Sequence, residues 1–194
     1  MTDSISRRDA VQRVAAILGG VLVGGSALWT GRVQAEPRGQ GPLQGEDAAF
    51  LDEVADTILP ATGTPGAKAA GVGGFMVVMV NDCYDERDQR IFRDGMRQLD
   101  ERCRGAYSAG FREATQAQRT ELLTILDREQ KEYMDRRSSG EPAHYFRMMK
   151  ELALLGYFTS EIGCTQAMRY RETPGRFDPC VPYTPGESAW AGHA

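Results

Sequence analysis

Histidine is nearly absent: His144 and His193 are the only two in 194 residues. Hydrolytic and acyl-transfer sites usually take their general base from histidine, and a histidine-rich metal site needs several. His193 is next to last in the chain and His144 opens a helix, so the pair offers neither arrangement. Carboxylates remain as weak calcium ligands. Cysteine is confined to Cys83, Cys103, Cys164 and Cys180, with no C-x-x-C or C-x-x-C-H spacing. Zinc, thioredoxin-like redox chemistry and covalent haem therefore lose their usual support. No G-x-S-x-G occurs, since the run from Gly105 to Gly110 has the wrong spacing for a nucleophile elbow. Gly71-Val72-Gly73-Gly74 lacks the third glycine of a dinucleotide fingerprint, where Met76 stands, and no Lys-Ser or Lys-Thr follows as in a P-loop. Close helix packing is the better account of these glycines. A basic excess is missing too: 23 Lys and Arg face 27 Asp and Glu, a net charge of -4. That argues against a nucleic-acid partner.

What remains is an ordinary folding chain with an export signal. Apolar residues make up 41% and charged residues 26%, and the length suits one domain. Ser6-Arg7-Arg8-Asp9 precedes an apolar, glycine-diluted stretch from Val14 to Trp29, and Val33-Gln34-Ala35 supplies an A-x-A-like cleavage site. The stretch is shorter than the ~20 apolar residues of a membrane span. Arg7 and Arg8 resemble the twin-arginine (Tat) signature, although Ala10 and Val11 stand where bulkier residues are commoner. Cleavage after Ala35 would remove four arginines and two aspartates, taking the net charge from -4 to -6. Export would bring the four cysteines into an oxidising compartment, so disulfides are expected. Four cysteines allow three full pairings. Sequence proximity favours Cys83 with Cys103 and Cys164 with Cys180, with a bridge to a second chain as the alternative.

Residues 36–45, with three glycines and two prolines, read as a flexible leader. The domain then begins near Glu46. Phe50, Leu51, Val54, Ile58 and Leu59 recur at helical spacing up to Pro60, and Asp47, Asp52, Glu53 and Asp56 form an acidic, solvated outer face. A second helix, over 67–82, is apolar on nearly all sides, which places it across the centre of a bundle. Its β-branched residues would also suit a strand. Further helices are predicted over 86–104, 116–133 with Thr115 as N-cap, and 143–161. In the last, Tyr145, Phe146, Met149, Leu152, Leu155, Phe158 and Ile162 form a core stripe. Beyond Gly163 the period is lost and an arm begins, containing Tyr170, Phe177, Tyr183 and Trp190. It either wraps its own domain with Cys180 as a staple or lies against a partner. The fold class is thus all-α, about five helices with an irregular C-terminal arm.

The segments Tyr145-Phe146-Arg147-Met148-Met149-Lys150-Glu151-Leu152 and Gly156-Tyr157-Phe158-Thr159-Ser160-Glu161-Ile162-Gly163, followed by Tyr170, Pro174-Gly175 and Cys180, resemble the gluconate 2-dehydrogenase subunit 3 family. Phe50-Leu51, Ile58-Leu59-Pro60, Thr64-Pro65-Gly66-Ala67 and Gly71-Val72 look like the start of the same family. The resemblance implies a small, non-catalytic subunit of a periplasmic, membrane-associated sugar or sugar-acid dehydrogenase, holding no cofactor of its own. It implies as partners a large flavin subunit of the glucose-methanol-choline type that binds FAD, and a cytochrome c subunit carrying haem. The small subunit would help the large one fold and carry it to the Tat translocase. Candidate anchors for that partner are Tyr157, Phe158, Tyr170, Phe177, Tyr183 and Trp190, with the core as the competing place for Tyr157 and Phe158. Two other classes compete: an exported enzyme using Glu161 or an Asp-Glu pair as base with Tyr157 or Tyr170 as acid, and a free-standing binding module.

Overall fold

The computed structural model describes residues 42–173, 175 and 180–191. Arg7, Arg8, the export signal, Phe177 and His193 lie outside the described residues. Five α-helices follow in order: α1 (Gly45–Ile58), α2 (Val72–Cys83), α3 (Glu86–Tyr107), α4 (Gln116–Arg136) and α5 (Tyr145–Phe158), then a π-helical turn (Gly163–Ala167). Among the described residues the only β pairing is an isolated bridge between Arg169 and Trp190, so the class is all-α. No described helix is long and apolar enough to cross a membrane.

Each helix starts where a side chain or a backbone bend satisfies its first N–H groups. Asp85 accepts the Asp88 N–H at 2.8 Å to open α3. Thr115 and Gln118 cap each other reciprocally at the start of α4, as the sequence suggests for Thr115. Gly71, in the left-handed region with φ +68°, turns the chain into α2, so that helix begins five residues later than its apolar run implies. Leu59 leaves the helical region ahead of Pro60, which ends α1. Packing against the helices also involves residues before Glu46. Leu43 is buried, and its N–H and C=O bond both ends of the Asn81 side-chain amide at 3.2 and 3.0 Å.

The central helix is α5, not the all-round apolar α2. It touches α1, α2, α3 and α4, whereas α2 packs on α1, α3 and α5. Eight of the 14 residues of α5 are buried, from Tyr145 to Tyr157 at three- and four-residue spacing. That face is rotated from the expected stripe: Met148, Ala153, Gly156 and Tyr157 point inward, while Leu155 and Phe158 are exposed. Two glycines permit the close crossings. A Cβ on Gly95 of α3 would overlap the Tyr145 ring, and one on Gly156 would meet the Phe75 ring. Phe111, in the link between α3 and α4, is fully buried against Phe50, although no helical period marks it in the sequence.

Candidate functional site

The acidic face of α1 is not simply solvated. Asp52 is half-buried and accepts the Gly73 N–H at 2.8 Å, tying α1 to the first turn of α2. Burial raises its pKa, against the lowering effect of that hydrogen bond. Glu53 pairs with both Lys68 and Arg119, linking α1 to the following turn and to α4. Burial works against its charge, but the hydrogen bonds from Lys68 and Arg119 outweigh it and hold the carboxyl below the usual range. A Cβ on Gly73 would strike Ala48 O and come within 2.7 Å of Asp52 N. Gly73 is therefore a packing glycine, as expected. The Asp52 carboxylate holds the Gly73 N–H and puts a negative charge at the start of α2, which opposes an anion there.

The Gly156–Gly163 segment forms the end of α5 and the turn after it. Tyr157 is buried, and its hydroxyl donates to Pro65 O at 2.8 Å. Ser160 donates to Tyr157 O at 2.7 Å and accepts the Gly163 N–H at 3.0 Å. Gly163 packs so tightly that a Cβ there would overlap Tyr157 O. Thr159 donates its hydroxyl to Leu155 O at 2.7 Å. The polar groups of Tyr157, Thr159 and Ser160 are thus taken up by the fold. Tyr157 is a core residue: its ring lies inside and its hydroxyl is engaged. Glu161 is exposed.

His144 is the N-cap of α5: its Nδ1 accepts the Phe146 N–H at 3.2 Å, and its ring stacks on Tyr145 at 4.5 Å. Arg102 forms a two-point pair with Glu129 at 2.6 and 2.7 Å nearby. Among the described residues no group of three His, Cys, Asp or Glu could hold a metal. A depression of about 430 Å³ lies between the start of α1 and α3, with Phe50 and Met96 among its lining residues and Arg93, Arg97 and Asp100 beside them. Asp100 is already engaged by the Phe111 N–H at 2.8 Å and by Arg104 at 2.7 Å.

All four cysteines are free, so the expected pairings of Cys83 with Cys103 and Cys164 with Cys180 are absent. The first is excluded by geometry. Cys83 is exposed just before α3 and Cys103 is fully buried near its far end, about 25 Å along a rod rising ~1.5 Å per residue. A disulfide tolerates a Cα separation of only about 7 Å. Cys164 instead donates its S–H to Phe158 O at 3.3 Å, and Cys180 is exposed.

Phe158, Tyr170, Tyr183 and Trp190 are all exposed to solvent. Among the described residues, the buried core and the apolar side chains packed against it end at Ala167. Arg169 is tied instead to residues near the end of the arm. Arg169 N–H donates to Ala189 O and Ala191 N–H donates to Arg169 O, both at 2.8 Å. The Arg169 guanidinium pairs with Glu187 at 3.1 Å and lies over the Trp190 ring, 4.5 Å from its centroid.

These features define a helical domain with the Gly156–Gly163 turn built into the scaffold, followed by an arm bearing exposed aromatic side chains. The family model for gluconate 2-dehydrogenase subunit 3 matches residues 45–175, well over half of the chain. The chain belongs to the gluconate 2-dehydrogenase subunit 3 family. Membership makes it one subunit of a gluconate-dehydrogenase type of complex, alongside other subunits. Searches of curated proteins and of solved structures returned no match.

Proposed function

We propose that this chain is the non-catalytic small subunit of a periplasmic FAD-dependent sugar or sugar-acid dehydrogenase, and that it helps a flavin-binding partner of the glucose-methanol-choline type to fold and cross the membrane. The observation that carries this reading is the family match across the whole helical domain. Two further features support it. Ser6-Arg7-Arg8 ahead of a moderately apolar run would address a folded, cofactor-loaded pair to the Tat translocase. The polar side chains of the Gly156–Gly163 segment stabilise a turn, which suits a scaffold.

The bound FAD supplies the oxidising chemistry on the partner chain, and a cytochrome c subunit receives the electrons. This chain contributes the address in Arg7 and Arg8 and a rigid body for the partner to fold against. The complex would be membrane-associated on the periplasmic side. Co-expression with the neighbouring flavin subunit tests the reading. Deleting this chain, or replacing Arg7 and Arg8 together by lysine, is expected to remove flavin-dependent sugar oxidation from the periplasm. Undiminished periplasmic activity in the deletion strain would overturn the reading.

A further inference from the structure

We infer that the depression between the start of α1 and α3 is a binding site for a small polyhydroxy carboxylate, a ligand of the sugar-acid class. Its carboxylate binds Arg93 and Arg112, its hydroxyl groups donate to Glu46 and Asp47, and its carbon chain lies on Phe50. This goes beyond the proposed role in export and does not depend on it.

The depression holds about 430 Å³, within the range of small-molecule sites. Its lining carries two kinds of hydrogen-bonding group. From α3 come Arg93 and Arg97, joined by Arg112 from the link to α4, while the first turn of α1 contributes Glu46 and Asp47. Guanidinium groups only donate and carboxylates only accept. A molecule that satisfies both sets therefore carries strong acceptors at one end and donors along the rest.

The pairing within the lining shows which groups are available. Asp100 is taken by the Phe111 N–H at 2.8 Å and by Arg104 at 2.7 Å, and Asp100, Arg104 and Glu113 meet around the bare Gly110. Arg97 has a partner in Asp94 at 3.3 Å. Arg93 and Arg112 differ: both are exposed, and among the described residues neither has a hydrogen bond, an ion pair or a ring contact. Glu46 is likewise unpaired among them, and Asp47 spends one oxygen on the Gln44 N–H at 2.7 Å.

Two unengaged guanidiniums against one unengaged carboxylate favour an anion, and a planar guanidinium takes a carboxylate through two parallel hydrogen bonds. With Asp100 and Glu113 gathered at Arg104, the remaining acidic groups hold too little unbalanced charge to prefer an ammonium and suit neutral hydroxyl donors. The half-buried Phe50 ring, braced by Phe111 at 5.6 Å, offers an apolar face to the C–H groups of such a chain.

The test titrates the purified full chain by calorimetry with gluconate, glucose, hexanoate and γ-aminobutyrate, each alone, at low ionic strength where charge contacts are least screened. Gluconate is expected to saturate one site. Glucose, which lacks the carboxylate, and hexanoate, which lacks the hydroxyls, should each bind at least about tenfold more weakly, as the loss of hydrogen bonds to charged groups implies. Arg93→Gln combined with Arg112→Gln should weaken gluconate about tenfold or more and leave Tm unchanged, because neither side chain has a partner to lose. Arg128→Gln removes an unpaired arginine outside this depression and should leave binding as it is. Absence of saturable gluconate binding, equal binding of hexanoate, tighter binding of γ-aminobutyrate, or an equal loss in Arg128→Gln would each overturn the inference. None of these results bears on the proposed function, which the deletion strain tests through periplasmic sugar oxidation.

Discussion

Tyr157 donates its hydroxyl proton to the carbonyl of Pro65, 2.8 Å away and 92 residues earlier in the chain. The bond joins the end of α5 to the turn that follows α1. Tyr157→Phe keeps the ring and strands the carbonyl, which should cost about 1 kcal/mol. For a domain of this size that is a fall of about 2–4 °C in Tm. Tyr170→Phe, on the exposed arm, should change Tm by less than half as much. Thermal unfolding followed by circular dichroism compares them, and equal shifts would show that the bond to Pro65 contributes nothing.

Neighbouring glycines in the first turn of α2 should respond in opposite ways to the same change. Gly73→Ala forces a methyl group onto Ala48 O and the Asp52 backbone, and should destabilise by about 2 kcal/mol or more. Gly74 faces open space, so Gly74→Ala should be neutral or stabilise by up to about 1 kcal/mol through helix propensity. Denaturant titration of both variants gives the sign directly.

The His144 cap makes stability depend on pH. Its Nδ1 accepts the Phe146 N–H, so the folded ring is neutral at that atom. Burial lowers its pKa, the Glu129 carboxylate opposes this, and Arg102 adds to it; the Tyr133 and Tyr145 rings flank the imidazole. With the folded pKa below the unfolded value of about 6.5, the unfolded chain takes up the proton first as pH falls. The contribution is complete above about pH 6.5 and is lost as the pH drops from there through the folded pKa. His144→Asn retains a capping acceptor without titrating. Its Tm should fall less steeply than the parent's below about pH 6.5. Parallel slopes would count against the cap.

Thiol labelling should separate the cysteines by depth. Cys83 and Cys180 are exposed and should react first with iodoacetamide. Cys103 is fully buried, and burial raises its pKa, which reduces the reactive thiolate. It should label only after denaturation. Modification of Cys103 in the native protein at the rate of Cys83 would contradict the packing of α3.

The helices were legible because their apolar spacing and stop signals act locally: Thr115 caps α4, and Pro60 follows the last turn of α1. The interhelical ties were not. Asp52 and Glu53 read as a solvated face because their partners, Gly73 and Arg119, lie 21 and 66 residues away, a separation that periodicity does not detect. The same limit explains Leu155 and Phe158. Both are apolar and near the stripe, but the side of α5 that turns inward is the one where Gly95 of α3 and Gly156 of α5 itself permit close crossings. Phe111 lay in a stretch without helical period, and only the fold brings it against Phe50. Family resemblance was legible in the Gly156–Gly163 segment because Gly163 and Ser160 meet steric and hydrogen-bonding demands that few other residues satisfy there.

The placement of Cys83 just ahead of α3 and of Cys103 near its far end gives the chain a covalent record of its own history. Once that helix has formed, no oxidant can join the two sulfurs. A crosslink between them, found by mass spectrometry of unreduced protein, would mark molecules that met oxidising conditions while still unfolded.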